Sequence, residues 1–198
     1  MTKRIILVRH AQSDSNAGGV ALTDFSQIPI TAKGKEQAQN FASNFNEKPD
    51  LIICSPFLRT QQTSQPFRNK YSDVPFELDD NIREFSYINP DFARGTTFQQ
   101  RRQRVNDYWG KLDPSFHDSE SVECFSGFIE RAKAFIKSLH QRKEHFIIAF
   151  THSLFMILFE LILKNPNDSD LELMKKYIHA KEERNFENCG IFDASKYI

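Results

Sequence analysis

The sequence predicts an α/β fold built around a mostly parallel β-sheet, and two patterns support this prediction. Three short apolar runs, residues 5–8, Leu51–Cys54 and Phe146–Thr151, are typical of strands buried on both faces. Segments with a helical spacing of apolar residues lie between these runs. Alternating strands and helices favour parallel strands joined by right-handed crossovers, so the carboxyl ends of the strands are expected on one side of the sheet.

Length and charge limit what the chain can be. A length of 198 residues without a Pro-, Gly- or Ser-rich linker predicts a single domain over residues 1–198. Lys and Arg together number 26, and so do Asp and Glu. A chain without net basic charge is not expected to bind nucleic acid. The oligomeric state stays open between a monomer and a homodimer.

The apolar segments and the cysteines indicate where the protein is located and whether it binds a metal or cofactor. The most apolar segment, residues 154–163, spans about ten residues, whereas a membrane helix needs about 20, so no membrane association is expected. The amino terminus has too few apolar residues for a signal peptide. Cys54, Cys124 and Cys189 are widely spaced, which indicates reduced thiols and a cytoplasmic location. No C-x-x-C or H-E-x-x-H pattern occurs, so neither a metal site nor a cofactor is expected.

Turn and capping residues organise the first part of the chain. Residues 17–29, which include two adjacent glycines, predict a loop, and Thr31 predicts the N-cap of the helix that follows. Apolar residues at helical spacing give that helix a buried face: Ala38, Phe41, Ala42 and Phe45. After the second strand, Ser55 as N-cap and Pro56 as first helical residue predict a helix with Arg59 in its first turn.

The middle of the chain is less regular. Phe76–Leu78 predicts a short edge strand. Residues 86–120 show no clean period, and we interpret them as a small helical cap insertion over one end of the sheet, called the cap segment below. Its arginines belong either to a solvated helix face or to a surface that lends cations to a substrate: Arg94, Arg101, Arg102 and Arg104. Three aromatic residues are expected to line a roomy, wet mouth: Tyr87, Tyr108 and Trp109.

The last third of the chain predicts two helices and two strands. Ser121 is the expected N-cap of a long helix with one apolar stripe, formed by Phe125, Phe128, Ile129, Ala132, Phe135, Ile136 and Leu139. After the third strand, residues 154–163 are apolar nearly all round and predict a buried helix. The following residues are polar until residues 189–192, which predict a last strand.

Charged and imidazole side chains stand at the carboxyl ends of the three apolar strands, where open α/β sheets bind ligands. Arg9 and His10 follow the first strand, Arg59 comes shortly after the second, and His152 follows the third. Taken alone, Arg9 and His10 are as typical of a surface pair at a strand exit as of a functional site, and an isolated Arg59 is more typical of a solvated helix face. Together, two guanidinium groups and a helix amino terminus suit a phosphoryl group.

The same residues suggest a chemistry. A histidine ring nitrogen can attack phosphorus and carry the phosphoryl group covalently, and a second histidine can stabilise charge on the phosphoryl oxygens. The leaving oxygen also needs a proton, and Glu84 is a candidate donor. Without a metal motif, side chains must supply all the positive charge, which matches the residues present.

The motifs that carry these residues occur in one order over most of the chain. They are LVRHAQS at residues 7–13 with Asn16, ITAKGKEQA at 30–38, CSPFLRTQQT at 54–63, IREF at 82–85, ESVE at 120–123 and FTHS at 150–153. In this ordered set the chain resembles the histidine phosphatase superfamily, also called the phosphoglycerate mutase-like family. The resemblance implies a three-layer α/β/α sandwich with a mixed, mainly parallel central sheet.

The resemblance also implies roles for individual residues. His10 would be the phosphorylated nucleophile and Glu84 the proton donor. The phosphate pocket would be formed by Arg9, Arg59 and His152, with Asn16 as an added donor. The family usually has glycine after its nucleophile and often after its second histidine, where this chain has Ala11 and Ser153. Both residues are small, so the close approach of the backbone to phosphate is expected to be kept.

The leading hypothesis is a metal-independent phosphatase that hydrolyses a small phosphorylated metabolite through a phosphohistidine on His10. As a general acid, Glu84 then needs a pKa above that of a free carboxyl group. Two alternatives stay open: a cofactor-dependent phosphoglycerate mutase, which shares the first half-reaction, and a non-catalytic module that binds phosphorylated ligands. Hydrolysis is favoured because Arg101, Arg102 and Arg104 are spread around a helix and cannot all face one small ligand.

Overall fold

A five-stranded sheet forms the centre of the protein, and the computed structural model describes residues 3–18, 24–184 and 186–198. The strands of this described part are β1 Arg4–Arg9, β2 Leu51–Cys54, β3 Phe76–Leu78, β4 Phe146–Thr151 and β5 Ile191–Asp193. They lie in the order β3-β2-β4-β1-β5, with β1 to β4 parallel and β5 antiparallel to β1. The predicted mixed, mainly parallel sheet is therefore confirmed.

Seven α-helices accompany these strands within the described residues. They are α1 Ala32–Asn44, α2 Leu58–Lys70, α3 Pro90–Ala93, α4 Phe98–Gly110, α5 Phe125–Gln141, α6 Ser153–Lys164 and α7 Asp170–Glu183. Two short 3₁₀ helices, Phe25–Gln27 and Asp80–Ile82, lie in the connections. None of the helices in the described ranges is long and apolar enough to cross a membrane.

The two faces of the sheet bury separate apolar cores, which makes the fold three-layered. In β1, Ile6 and Val8 pack with aromatic residues of α1 and α2 on one face. Ile5 and Leu7 pack with residues of α5, α6 and α7 on the other. Successive side chains of a strand point to opposite faces, so a strand covered on both sides must be apolar throughout. The unbroken apolar runs of β1, β2 and β4 follow from this requirement.

Several local predictions hold in the structure. Thr31 is the N-cap of α1, since its Oγ1 accepts a hydrogen bond of 3.0 Å from the Gly34 amide. β3 pairs only with β2 at the edge of the sheet, as expected. The expected loop at residues 17–29 falls partly on residues 19–23, which lie outside the described residues.

Two predicted helix starts are wrong. Helix α2 begins at Leu58 with Phe57 as its N-cap, while the amide of Ser55 continues the pairing of β2 with β4 and its Oγ lies 2.8 Å from Nε2 of His152. Helix α5 begins at Phe125 with Cys124 as its N-cap, and the hydroxyl of Ser121 instead bonds that of Ser119 at 2.9 Å. In both cases the N-cap lies two or three residues after the predicted serine.

Helix α7 was not predicted, although the sequence carries its start signal. Ser169 and Glu172 form a capping box in which the serine hydroxyl and the glutamate carboxylate each bond the other residue's backbone amide. Leu173, Met174 and Tyr177 then form a buried face against the core. The helical spacing of these apolar residues was missed because many charged residues lie around them.

The cap segment is helical, but its aromatic residues are placed differently from the prediction. Helices α3 and α4 both fall within residues 86–120. Tyr108 and Trp109 do not line a wet mouth: they are buried in the core, where both rings pack on Phe85. Tyr87, the third of the expected residues, lines the cavity beside His10. Organisation as one domain with a cap insertion stays a prediction.

Candidate active site

His10 directly follows β1 and extends its pairing with β4. Its backbone amide donates to the carbonyl of Thr151 at 2.9 Å. Its Nδ1 lies 2.7 Å from the carbonyl oxygen of Ala11, so Nδ1 must carry the hydrogen that makes this bond. The other nitrogen, Nε2, accepts a hydrogen bond of 3.2 Å from Nε of Arg59. The neutral ring therefore keeps its lone pair on Nε2.

The loop after His10 is fixed by α1 and α2. The amide of Ala11 donates to Oγ1 of Thr63 at 2.9 Å, and this hydroxyl donates to the Arg59 carbonyl at 2.6 Å. On the other side, the backbone of α1 reaches the carbonyl of Gln12, and a Cβ on Gly34 would lie only 2.2 Å from that oxygen. The close approach explains why glycine stands at this position in α1.

Two guanidinium groups flank His10. Arg59, in the first turn of α2, is buried and donates from Nη1 to the carbonyl of Phe25 at 2.6 Å. Its guanidinium lies over the ring of Phe57, 4.9 Å from the centroid. Arg9 is also buried, and its Nη1 donates to the carbonyl of Phe186. Backbone carbonyls thus hold both groups in place beside the imidazole.

His152 lies beside His10 at the start of α6. The two rings meet edge to face, with centroids 5.2 Å apart. His152 is fully buried, with Nε2 2.8 Å from Oγ of Ser55 and no hydrogen-bond partner for Nδ1 among the described residues. A buried polar atom without a partner is rare in proteins.

Glu84 is positioned by the amino terminus of α6. Its carboxylate accepts hydrogen bonds from the backbone amides of Leu154 at 3.2 Å and Phe155 at 3.1 Å. It also accepts one from the amide of Phe85 at 3.1 Å. The amides of Leu154 and Phe155 are free to donate because the first turn of a helix has no intrahelical acceptors for them.

A cavity of about 220 Å³ joins most of the predicted site residues. It is lined by Arg9, His10, Asn16, Arg59 and Glu84, whereas His152 is fully buried and contacts the ring of His10. The cap segment contributes Tyr87, Ile88, Arg101 and Val105 to the same cavity. The structure therefore brings five of the predicted site residues to one cavity and places the sixth, His152, against the ring of His10.

Burial controls the protonation of the site. It lowers the pKa of His10 well below the ordinary value, and the charge of Arg59 adds to this effect. The pKa of His152 is lowered for the same reasons. Burial raises the pKa of Glu84 above its ordinary value, against the opposing effects of Arg59 and the backbone amides. Burial also lowers the pKa of Arg59 to about 10, which leaves it a cation at neutral pH.

Sequence reasoning missed two residues that orient the predicted ones. Ser13 is buried, and both its amide and its hydroxyl donate to Oδ1 of Asn16, at 3.2 and 3.1 Å. Asn188 donates from Nδ2 to the backbone carbonyl of His10 at 3.0 Å and to Oδ1 of Asn16 at 3.4 Å. Nothing in the sequence signals Asn188, because it lies far along the chain in a polar stretch.

In the described part of the chain, no group of three or more His, Cys, Asp or Glu residues is arranged to hold a metal ion. Independence of metal stays a prediction.

Known proteins resemble this chain in sequence and in fold. The family model described as histidine phosphatase superfamily (branch 1) matches residues 5–177. The 5''-phosphoribostamycin phosphatase of Niallia circulans is 29% identical over 162 residues, which cover 76% of this chain and 73% of that protein. The adenosylcobalamin/alpha-ribazole phosphatase of Escherichia coli (strain K12) is 26% identical over 141 residues, 70% of this chain and 67% of that protein.

A solved structure extends the likeness to the fold. The native structure of mycobacterial glucosyl-3-phosphoglycerate phosphatase matches with a TM-score of 0.73, covering 98% of this chain and 90% of that one. Its sequence identity is only 15%, so this likeness concerns the fold alone. Because the family model spans nearly the whole chain and agrees with the motifs and the fold, this protein belongs to the histidine phosphatase superfamily, branch 1.

Proposed function

We propose that this protein is a phosphatase that hydrolyses small phosphomonoesters through a phosphohistidine on His10. The observation that carries the proposal is the ring of His10, which is neutral, has its lone pair on Nε2 and lies between Arg9 and Arg59 at one cavity. The names of the two relatives, both phosphatases, support the reaction class. The cavity of about 220 Å³ supports a small substrate.

In the first step, Nε2 of His10 attacks phosphorus and the bond from phosphorus to the ester oxygen breaks. Glu84 gives its proton to that oxygen, and the alcohol leaves. In the second step, water attacks the phosphohistidine, Glu84 takes a proton from the water, and the nitrogen–phosphorus bond breaks to release phosphate. Arg9 and Arg59 stay cationic throughout and stabilise the charge on the phosphoryl oxygens.

Trapping the intermediate tests the mechanism. The protein is mixed with a ³²P-labelled phosphomonoester and quenched in base, because phosphohistidine is labile to acid. We expect label on the wild type and none on His10→Ala, which should also lose turnover of an aryl phosphate. His179→Ala is the matched control, since His179 is exposed on α7. Full turnover by His10→Ala would rule out the nucleophile, and no turnover by the wild type would favour the non-catalytic module.

Two further measurements separate the remaining alternatives. Dialysis against a chelator should leave the rate nearly unchanged, because guanidinium and imidazole groups supply the charge that a metal would bring. With 3-phosphoglycerate and a trace of its 2,3-bisphosphate, release of inorganic phosphate should exceed formation of 2-phosphoglycerate. Fast isomer exchange with little phosphate release would instead identify a mutase.

A further inference from the structure

Arg131, on α5, is a buried cation that the proposed reaction does not use. Its Nε and Nη2 donate to the two carboxylate oxygens of Glu123 at 2.8 and 2.7 Å, the parallel two-bond pairing typical of arginine with a carboxylate. The guanidinium also lies over the ring of Phe128, 4.4 Å from the centroid. A carboxylate and an aromatic ring therefore fix this side chain in one orientation.

The remaining end of the guanidinium holds the chain just before the proposed general acid. Nη1 of Arg131 donates to the carbonyl of Asn81 at 2.7 Å and to that of Arg83 at 2.6 Å. The carbonyl between them, that of Ile82, accepts a hydrogen bond of 2.7 Å from Oγ1 of Thr151. Three consecutive carbonyls are thus bound by side chains of α5 and β4.

The last of these carbonyls has a direct effect on the acid. It belongs to the peptide bond that joins Arg83 to Glu84, and fixing it fixes the plane of that peptide. The direction in which the Glu84 side chain leaves the backbone is fixed with it. At its other end, the Glu84 carboxylate is bound by amides of α6. Glu84 is consequently held twice, by α5 through the backbone and by α6 through the carboxylate.

The charge of Arg131 also acts on Glu84. Burial raises the pKa of Glu84, whereas the charges of Arg59 and Arg131 and the backbone amides lower it. Glu123 offsets part of the charge of Arg131, because its carboxylate is paired with it. Charged and titratable groups from several elements interact electrostatically with Glu84: Arg9, Arg59, Tyr87, Arg131 and Tyr177.

We propose that the ion pair of Arg131 and Glu123 positions Glu84 for proton transfer to the leaving oxygen. The proposal rests on the proposed function, because Glu84 has this task only in phosphoryl transfer to His10. Arg131 and Glu123 are not among the residues that line the cavity beside His10, so they act as positioning residues. An acid must lie within hydrogen-bond reach of the leaving oxygen, and a displacement of about 1 Å can cost about 100-fold in rate.

Arg131→Lys tests the positioning. Lysine keeps the positive charge, but a single ammonium group cannot hold a carboxylate and two carbonyls in the fixed geometry of a guanidinium. We expect the ratio of kcat/KM for an alkyl phosphomonoester to that for an activated aryl ester to fall about 10- to 100-fold. Arg142→Lys is the matched control, because Arg142 stands at the carboxyl end of α5 and pairs with Glu77. It should leave the ratio unchanged.

Glu123→Gln tests the balance of charge. Glutamine keeps the size of the side chain and can still accept from Arg131, but it removes the negative charge. The pKa of Glu84 should then fall, so that alkyl ester hydrolysis declines at a lower pH than in the wild type. Glu160→Gln makes the same change at another buried carboxylate, which pairs with Lys164 on α6. This control should keep the pH profile of the wild type.

A double-mutant cycle shows whether the pair acts through Glu84. Arg131→Lys should lower alkyl ester kcat/KM in the wild type and have almost no further effect on Glu84→Gln. Equal losses in both backgrounds, or on both ester classes, would mean that the pair only stabilises the fold, and the proposal would be wrong. Circular dichroism identifies variants that do not fold.

The remaining outcomes are also decisive. If Arg131→Lys does not fold, the pH profile of Glu123→Gln carries the test, and an unchanged profile overturns the positioning role. If the wild type hydrolyses aryl and alkyl esters while the variants keep its ratio and its profile, the phosphatase stands and the positioning role fails. If the wild type hydrolyses neither ester, the proposed function itself fails, and the positioning role with it.

Discussion

Glu84 faces two opposing demands, since a general acid must hold a proton while three backbone amides favour its anion. Burial outweighs the amides and raises the pKa of Glu84. Glu84→Gln keeps the size of the side chain but cannot donate an acidic proton. We expect it to slow hydrolysis of alkyl esters by roughly 10²- to 10⁴-fold. Transfer to His10 from activated aryl esters should be slowed less, and equal losses on both classes would mean that Glu84 only positions the substrate.

The opposite pKa shifts of His10 and Glu84 predict how activity depends on pH. Attack needs neutral His10, whose pKa is lowered, so activity should persist well below pH 6.5. Protonation of the leaving oxygen needs Glu84 with its proton, so alkyl ester hydrolysis should fall as pH rises through the raised pKa of Glu84. The ratio of alkyl to aryl ester kcat/KM should therefore decline with pH, and substrate phosphate titration largely cancels in it. A flat ratio would argue against Glu84 as the acid.

For individual residues, the sequence predicted which side chains form the candidate site better than it predicted their hydrogen-bond partners. Arg9, His10 and Arg59 could be found because strand ends and a helix start leave recognisable patterns. The role of Ser55 was missed, since a serine before a proline favours an N-cap while its actual partner, His152, lies 97 positions away in the chain. Contacts at such a separation depend on the register of β2 against β4, which local patterns do not reveal.

At the scale of secondary-structure elements, the turn at residues 188–190, before β5, contacts the candidate site through hydrogen bonds to Arg9 and His10. In this turn Cys189 has a φ of 59°. The amide of Arg9 donates to the carbonyl of Gly190, and the amide of Cys189 donates to the carbonyl of Arg9. Asn188 uses both hydrogens of its amide on the His10 carbonyl and on Oδ1 of Asn16. Because Oδ1 of Asn16 also accepts from Ser13, the Nδ2 group of Asn16 is turned away from these donors.

Asn188→Asp tests whether this turn orients the site. The new carboxylate is isosteric but cannot donate, so we expect kcat/KM to fall roughly tenfold, the value of about one hydrogen bond. Asn40→Asp makes the same charge change at an exposed residue of α1 and should have little effect. The decisive measurement is a double-mutant cycle with Asn16→Ala. Additive losses would show that Asn188 does not act through Asn16.

Some helices and strands could be predicted from the sequence pattern and others could not. The strands β1, β2 and β4 were predicted because both of their faces are covered, which leaves an unbroken apolar run. The antiparallel direction of β5 could not be derived from residues 189–192, because a three-residue edge strand carries no signal of its partner. Helix α7 was missed for the opposite reason, since its cap was visible but its apolar face is narrow.

At the scale of the whole molecule, the candidate site lies at the carboxyl ends of the inner strands, where the apolar cores on the two faces of the sheet end and buried polar residues begin. His10 and His152 follow two adjacent inner strands, β1 and β4, whose two faces are covered by helices. The position excludes water and lowers the pKa of both rings. The same arrangement that keeps His10 nucleophilic therefore also affects the stability of the fold.

The stability of the protein should consequently fall as the solution is acidified. Both histidines have lowered pKa values in the folded state, so below pH 6.5 the unfolded chain binds more protons than the folded one. Their contribution is complete above pH 6.5 and is lost as the pH falls toward the folded-state values, by at most about 1.4 kcal/mol per pH unit for each ring. Glu84 acts in the opposite sense, since its raised pKa gives stability that is present at low pH and is lost as the pH rises through that value.

Urea unfolding between pH 7.5 and 5.5 measures this dependence. The free energy of unfolding should decrease with falling pH, and His152→Gln should flatten the curve while His179→Gln, at an exposed position of α7, should not. Since His152→Gln removes a buried hydrogen bond to Ser55 and is expected to lower stability at every pH, the slope rather than the absolute value is compared. Proton NMR of the imidazole resonances gives an independent check in the wild type. Two buried rings that titrate near pH 6.5 would contradict the proposed link between the burial of the site and the stability of the fold.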